Sequence, residues 1–214
     1  MPLEHLSVGE IAVMLPGATT VFRRHKIDFC CKGEVLLAKE AESRGLDLLA
    51  LEAELHAMET PSLHAPAATA DLIIHIVERY HEVHRREFPE VIALARRVES
   101  VHKDRADCPH GLANLLAEMF EDLEDHQYKE EAVLFPAMLN GIGPAVCGPI
   151  ARMMQDHDDL GALLASMAEL TDDFVAPEGA CATWRALYSG CSKLDADLRE
   201  HVHLENNILF QRFL

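Results

Sequence analysis

The pattern H-x-x-x-E-x-x-x-L-F occurs twice in this chain, as His126, Glu130, Leu134 and Phe135 and again as His201, Glu205, Leu209 and Phe210. In a helix, residues four apart lie one above the other on a single face, so each copy presents an imidazole and a carboxylate together. The apolar residues around each copy turn that face inward. Leu112, Leu116, Met119, Leu123, His126, Glu130, Val133 and Ala137 follow one another at steps of four and three, and so do Trp184, Leu187, Cys191, Leu194, Leu198, His201, Glu205 and Ile208. That spacing is the seam of a packed helical bundle. The His and Glu therefore stand where leucines normally would. A buried ionised Glu is costly unless it is paired or bound to a metal, and two such pairs on two seams favour the metal.

The rest of the chain supplies further imidazoles at the same kind of position. Thr69 can cap a helix with Ile73, Ile74, Val77, His81, His84 and Phe88 on one face. Pro89 then interrupts the pattern, and Val91, Leu94, Ala95, Val98 and His102 form a new stripe. In one straight helix His81 and His102 would stand about 30 Å apart, too far to share a metal. A chain reversal near Pro89 is therefore predicted, bringing them level. Breaks at Asp107-Cys108-Pro109-His110-Gly111 and Asn140-Gly141-Ile142-Gly143-Pro144 bound the helix of the first copy. The next helix carries Ile150, Met154, His157, Gly161 and Leu164 at seam spacing, and Ala176-Pro177-Glu178-Gly179 precedes the last. His81 to His157 and His126 to His201 repeat at nearly equal spacing, the pseudo-two-fold order that a two-metal site between helix pairs needs.

The expected metal ligands are His81, His102, His126, Glu130, His157, His201 and Glu205. Imidazole and carboxylate without thiolate suit iron or manganese better than structural zinc. With both glutamates and one solvent-derived group as bridges, two six-coordinate metals would keep roughly one open position for a small ligand. Asp156, Asp125 and Glu131 are candidates to orient the imidazoles. A single His on an apolar face is more often a hydrogen-bonded core residue, which is the reading for His75, His84 and His203. A single H-x-x-x-E is usually a solvated pair worth a few tenths of a kcal/mol. The concentration of these residues on seam positions is what carries the metal reading.

Residues 1–62 read as a small helical module and 69–214 as the bundle, joined by Thr60-Pro61-Ser62-Leu63-His64-Ala65-Pro66. In the module, the capping box Ser7-Val8-Gly9-Glu10 opens a helix that ends at Pro16-Gly17, with further helices near 19–25, 34–43 and 48–58. A net charge of −17 argues against nucleic acid or anionic membrane as a partner. No apolar run reaches the roughly 20 residues of a membrane span. The opening residues lack a secretory pattern, so the expected location is the cytoplasm. There the six cysteines would be mostly reduced.

The region from about residue 70 onward resembles hemerythrin-like di-iron four-helix bundles. The stretch Ile27-Asp28-Phe29-Cys30-Cys31-Lys32-Gly33 resembles the short module fused to such bundles in the Repair of Iron Centres family of ScdA-like proteins. The resemblance covers nearly the whole chain and implies an all-α fold, a hemerythrin-like four-helix bundle with a small N-terminal helical domain. It also implies two non-haem iron ions with an oxo or hydroxo bridge, spanned by both glutamates. Oxygen-carrying hemerythrins differ, having a second H-x-x-x-H and a terminal Asp ligand.

The function so implied is repair of iron–sulfur clusters damaged by nitrosative or oxidative stress. It would proceed by iron donation, by nitric oxide reduction at the di-iron centre, or by both. The partners would be damaged iron–sulfur proteins and nitric oxide or another small diatomic ligand; monomer and homodimer both stay open. A non-enzymatic sensor or reservoir for nitric oxide or oxygen is the alternative, and a metal-free helical adaptor the plainest one. Cys30 and Cys31 are the remaining candidates for chemistry, as redox or thiol groups. A helix starting near Gly33, with Lys32, would lower a thiol pKa there. Their plainer reading is two half-buried cysteines in a turn. Cys108, Cys147, Cys181 and Cys191 are expected to serve packing.

Overall fold

Capping chemistry starts the first helix where the sequence places it. In the computed structural model, which describes residues 3–15, 17–58, 66–141 and 146–214, Ser7 Oγ accepts from Glu10 N at 3.2 Å and Glu10 Oε2 accepts from Ser7 N at 2.8 Å. This reciprocal cap opens α1 (Val8–Met14). It is followed by α2 (Ala18–Arg24), α3 (Leu37–Arg44) and α4 (Leu48–His56), the last capped by Asp47. The linker segment lies outside the described residues except for Pro66, as do Pro16 and Ile142-Gly143-Pro144. Among the described residues no strand forms, and the fold is all-helical; one isolated bridge joins Ser7 and Leu36.

The helices that follow are α5 (Thr69–Ile76), α6 (Glu82–Val101), α7 (Leu112–Lys129), α8 (Phe135–Leu139), α9 (Cys147–Leu170) and α10 (Ala182–Leu204). Among the described residues, three π-helical turns join or extend them: Val77–His81, Glu130–Leu134 and Glu205–Leu209. The predicted reversal at Pro89 does not occur. Pro89 lies inside α6, which runs on to Val101. A proline there removes one main-chain bond, at a cost of about 3 kcal/mol. Phe88, Val91, Ile92, Ala95 and Val98 are all buried along the same helix, and each large apolar side chain fully buried contributes about 1.5–3 kcal/mol, so the stripe outweighs the proline.

The chain divides into two compact units, residues 1–73 with 199–214 and residues 74–198. The core of the second is built from α6, α7, α9 and α10 around Phe88, Leu112, Leu116, Met119, Trp184, Leu187 and Leu194. Gly190 allows α10 to approach α6 closely, since a Cβ there would meet Val91 Cγ2 at 3.0 Å. In the first unit Phe22, Phe29, Ile11, Leu37, Leu55 and Phe210 are buried. Gly33 is held against α1 by a bond from Gly9 N to its carbonyl oxygen at 2.8 Å. A Cβ on Gly33 would meet Asn207 Oδ1 at 2.7 Å and Phe29 O at 3.1 Å, so this approach requires glycine.

Candidate metal centre

Each π-helical turn abuts an expected ligand. One ends at His81, one begins at Glu130 and one begins at Glu205. A π-turn inserts one extra residue, and such turns occur often at functional sites. The insertion also breaks the seam pattern beyond each glutamate. Val133 is 61% exposed, while Leu134, Phe135 and Met138 are buried instead; Ile208 is half-buried and Leu209 is buried. On α9 it is Met153 rather than Met154 that is buried beside Ile150, His157 and Leu164.

Within the second unit, His81, His126, Glu130 and His157 are buried. His81 Nε2 lies 3.6 Å from Glu130 Oε2, His126 Nε2 lies 3.3 Å from Glu130 Oε1, and His126 Nε2 lies 3.1 Å from His157 Nε2. Neither oxygen of Glu130 accepts a hydrogen bond. Two donors bound to one cation at about 2.1 Å each stand roughly 3.0–3.4 Å apart for angles between octahedral and tetrahedral. The separations at Glu130 and between the two imidazoles are close to that range. A buried carboxylate facing imidazoles at such distances is what a cation would satisfy, so the residues present fit a metal.

The imidazoles are braced from behind. Glu131 Oε1 lies 2.8 Å from His81 Nδ1 and accepts from Arg85 Nη2 at 2.6 Å. Burial pushes the Glu131 carboxyl up, but its bonds to Arg85 and His81 more than offset this, so it is held below the usual range. Asp156 stands 3.6 Å from His126 Nδ1 and pairs with Arg152 at 2.7 Å. Asp125 braces no imidazole here; it pairs with Lys129 at 2.6 Å on an exposed face. His84, buried, is bonded to Gln127, with Nδ1 and Nε2 3.3 Å apart.

Within the first unit, His201 Nε2 and Glu205 Oε1 are 2.9 Å apart and both residues are buried. The residues that follow them hold the double-cysteine loop. Asn206 Nδ2 donates to Cys30 O at 2.9 Å and Asn207 Nδ2 donates to Phe29 O at 3.1 Å. His203, read from the sequence as ordinary, is buried with its ring edge-on to Phe29 at 5.6 Å. Burial pushes its pKa down to about 4, against a main-chain bond at Phe29 that works the other way. Only the recurrence of the pattern, with Asn206 standing where the first copy has Glu131, hinted at this role.

Two expectations are corrected. His102 does not join the metal-type residues. It caps the far end of α6 from His81, its Nε2 lies 3.3 Å from Cys181 Sγ, and its ring packs on Trp184 at 4.9 Å. Without a reversal at Pro89, about 30 Å of helix separates it from His81. No helix starts at Gly33, since α3 begins only at Leu37. The Cys30 thiol is accordingly not lowered: its bond with Cys31, its burial and the charge of Asp28 push its pKa well up. The two sulfurs are 3.7 Å apart, and Cys30 Sγ donates to Asp28 Oδ1 at 3.3 Å. Asp28, Cys30 and Cys31 offer donor atoms within 4.8 Å of one another, a second and smaller set that could hold a metal.

Comparison with known proteins finds two family matches along the chain. Residues 72–213 match the Hemerythrin HHE cation binding domain, and residues 4–59 match ScdA_N, a domain of unknown function (DUF542). Over 212 residues the chain is 46% identical to the iron-sulfur cluster repair protein YtfE of Pectobacterium atrosepticum, covering 97% of this chain and 96% of the relative. It is 44% identical to the protein of the same name from Yersinia pseudotuberculosis, over 100% of this chain and 99% of the relative. Among the described residues no helix is long and apolar enough to cross a membrane.

Proposed function

This chain belongs to the hemerythrin HHE cation-binding family, among full-length relatives named for iron–sulfur cluster repair, and from that premise we propose that it repairs iron–sulfur clusters damaged by nitrosative or oxidative stress. The observation that carries the reading is Glu130, a fully buried carboxylate with imidazoles on two sides and no hydrogen bond of its own. His81, His126, Glu130, His157, His201 and Glu205 are the residues that would hold two non-haem irons. Bound there, the irons would supply labile metal for a damaged cluster and an open position for a diatomic ligand such as nitric oxide.

The chain's own residues have distinct tasks in this reading. Glu131 fixes the tautomer and direction of His81 through Nδ1, with Arg85 holding Glu131 in turn. Buried apolar residues beside the ligands, Leu123, Leu134 and Phe135, keep water from competing for the donors. Asn206, next to Glu205, fixes the carbonyl of Cys30 and so keeps the thiol pair beside the end of the motif. That placement suits Cys30 and Cys31 to taking iron or electrons in transit.

The test uses the full chain loaded with ferrous iron without oxygen and mixed with a nitric-oxide-damaged [4Fe–4S] dehydratase. Enzyme activity should return with iron-loaded protein and not with chelator-stripped protein. Nitrous oxide released in the same mixture would assign nitric oxide reduction; recovery without it would assign iron donation. If activity fails to return and nitric oxide binds only one-for-one, the protein is a sensor or reservoir and the repair reading is wrong.

A further inference from the structure

Cys181 is a half-buried cysteine with an imidazole beside its sulfur. It immediately precedes α10, a helix of 23 residues. His102 Nε2 lies 3.3 Å from the sulfur. The Arg105 guanidinium stands over the Trp184 ring at 5.1 Å and bonds Glu178 O at 3.2 Å, bringing positive charge to the same corner. Asp107 pairs with Arg105 at 2.6 Å and is the acidic group facing it. Unlike Cys30, Cys108 and Cys191, which are buried, Cys181 is half-buried and reachable. An imidazole, a helix N-terminus and a nearby cation around a partly exposed sulfur is the environment that favours thiolate.

We propose that Cys181, held as a thiolate by His102, is a modification site that takes up small anionic disulfides such as glutathione disulfide. The Cys181 sulfur attacks one sulfur of the disulfide. The Cys181–sulfur bond forms as the reagent's S–S bond breaks, and the other half leaves as a thiolate that takes up the proton Cys181 had given up. The oxidant is the disulfide itself, and no metal takes part. His102 donates to the sulfur through Nε2, Arg105 attracts the carboxylates of the incoming molecule, and the helix N-terminus favours the negative charge. This assigns to His102, which the bundle leaves outside its metal-type cluster, a role in positioning and charge.

The direction of the thiol's pKa agrees: the bond to His102, foremost, and those to Trp184 and Thr183 lower it to about 7, while burial pushes Cys191 to about 12. The test exposes the full-length, iron-loaded chain to glutathione disulfide at pH 7 and locates the adduct by peptide mass mapping over time. Cys181 should form the mixed disulfide first, with a pH–rate midpoint near 7. His102→Gln should move that midpoint up by more than one pH unit. The rate at Cys181 should fall by roughly fivefold between pH 7 and pH 6, following the thiolate fraction of a thiol with a pKa of about 7. Adduct appearing first at Cys31 or Cys147 would overturn the proposal. So would a rate and midpoint at Cys181 that His102→Gln leaves unmoved. The wild-type map alone decides the first point, whatever the variant's stability.

Discussion

The two copies of H-x-x-x-E-x-x-x-L-F share a sequence pattern and a backbone, yet they face different surroundings. Both pass from α-helix into a π-turn at the glutamate. Both bury their His and Glu. The residues between and after them diverge. Tyr128 in the first copy is 68% exposed, whereas His203, at the same place in the second, is buried against Phe29. Glu131 in the first braces His81, whereas Asn206 in the second anchors Cys30. The shared positions set the donor chemistry. The unshared ones set what each donor pair is attached to, an imidazole in one case and a thiol loop in the other.

The largest effects should come from breaking what the copies have in common. Glu130→Gln and Glu205→Gln should each remove half or more of the bound iron, read by metal analysis of the purified protein. Iron retained in full by either variant would end the equivalence of the two glutamates. With iron stripped, Glu130→Gln should melt higher than the parent, because an amide replaces a buried carboxylate that accepts no hydrogen bond. That rise separates loss of a ligand from loss of the fold.

The next effects should divide the copies. Glu131→Gln should weaken iron binding by about 10–100-fold, as removal of a group orienting a ligand imidazole does, with Cys30 and Cys31 reacting as before. Asn206→Ala should do the converse. Iron stays bound, the loop loses a buried hydrogen bond worth about 1–3 kcal/mol, and alkylation of Cys31 accelerates. Chelator competition and mass mapping of alkylated thiols read both outcomes; identical behaviour of the two variants would collapse the distinction. Smallest is the pair at the unshared middle position. His203→Ala should cost about 2 kcal/mol in denaturant unfolding and Tyr128→Ala no more than about 0.5 kcal/mol.

The sequence was most legible where local chemistry and burial point the same way. The Ser7 cap, α7 and α10, and the inward turn of His126, Glu130, His157, His201 and Glu205 follow from period and capping alone. His102 shows how the reading failed. Pro89 supplied a reason to reverse the chain, and reversal was what the ligand count wanted, but the continuous buried stripe of α6 kept the helix straight through it. The π-turns were invisible for a related reason. A pattern counted at 3.6 residues per turn has no place for one added residue, so every seam position beyond Glu130 and Glu205 was displaced.

Sequence by itself determined the kind of donors in this protein, imidazole and carboxylate in apolar stripes, because the cost of burying a charge is paid wherever the stripe turns inward. Only the tertiary structure decided which of those imidazoles meet. Whether His81 or His102 approaches Glu130 depends on the path of the backbone between them, and that path is chosen by the packing of the whole of α6 rather than by any one residue along it.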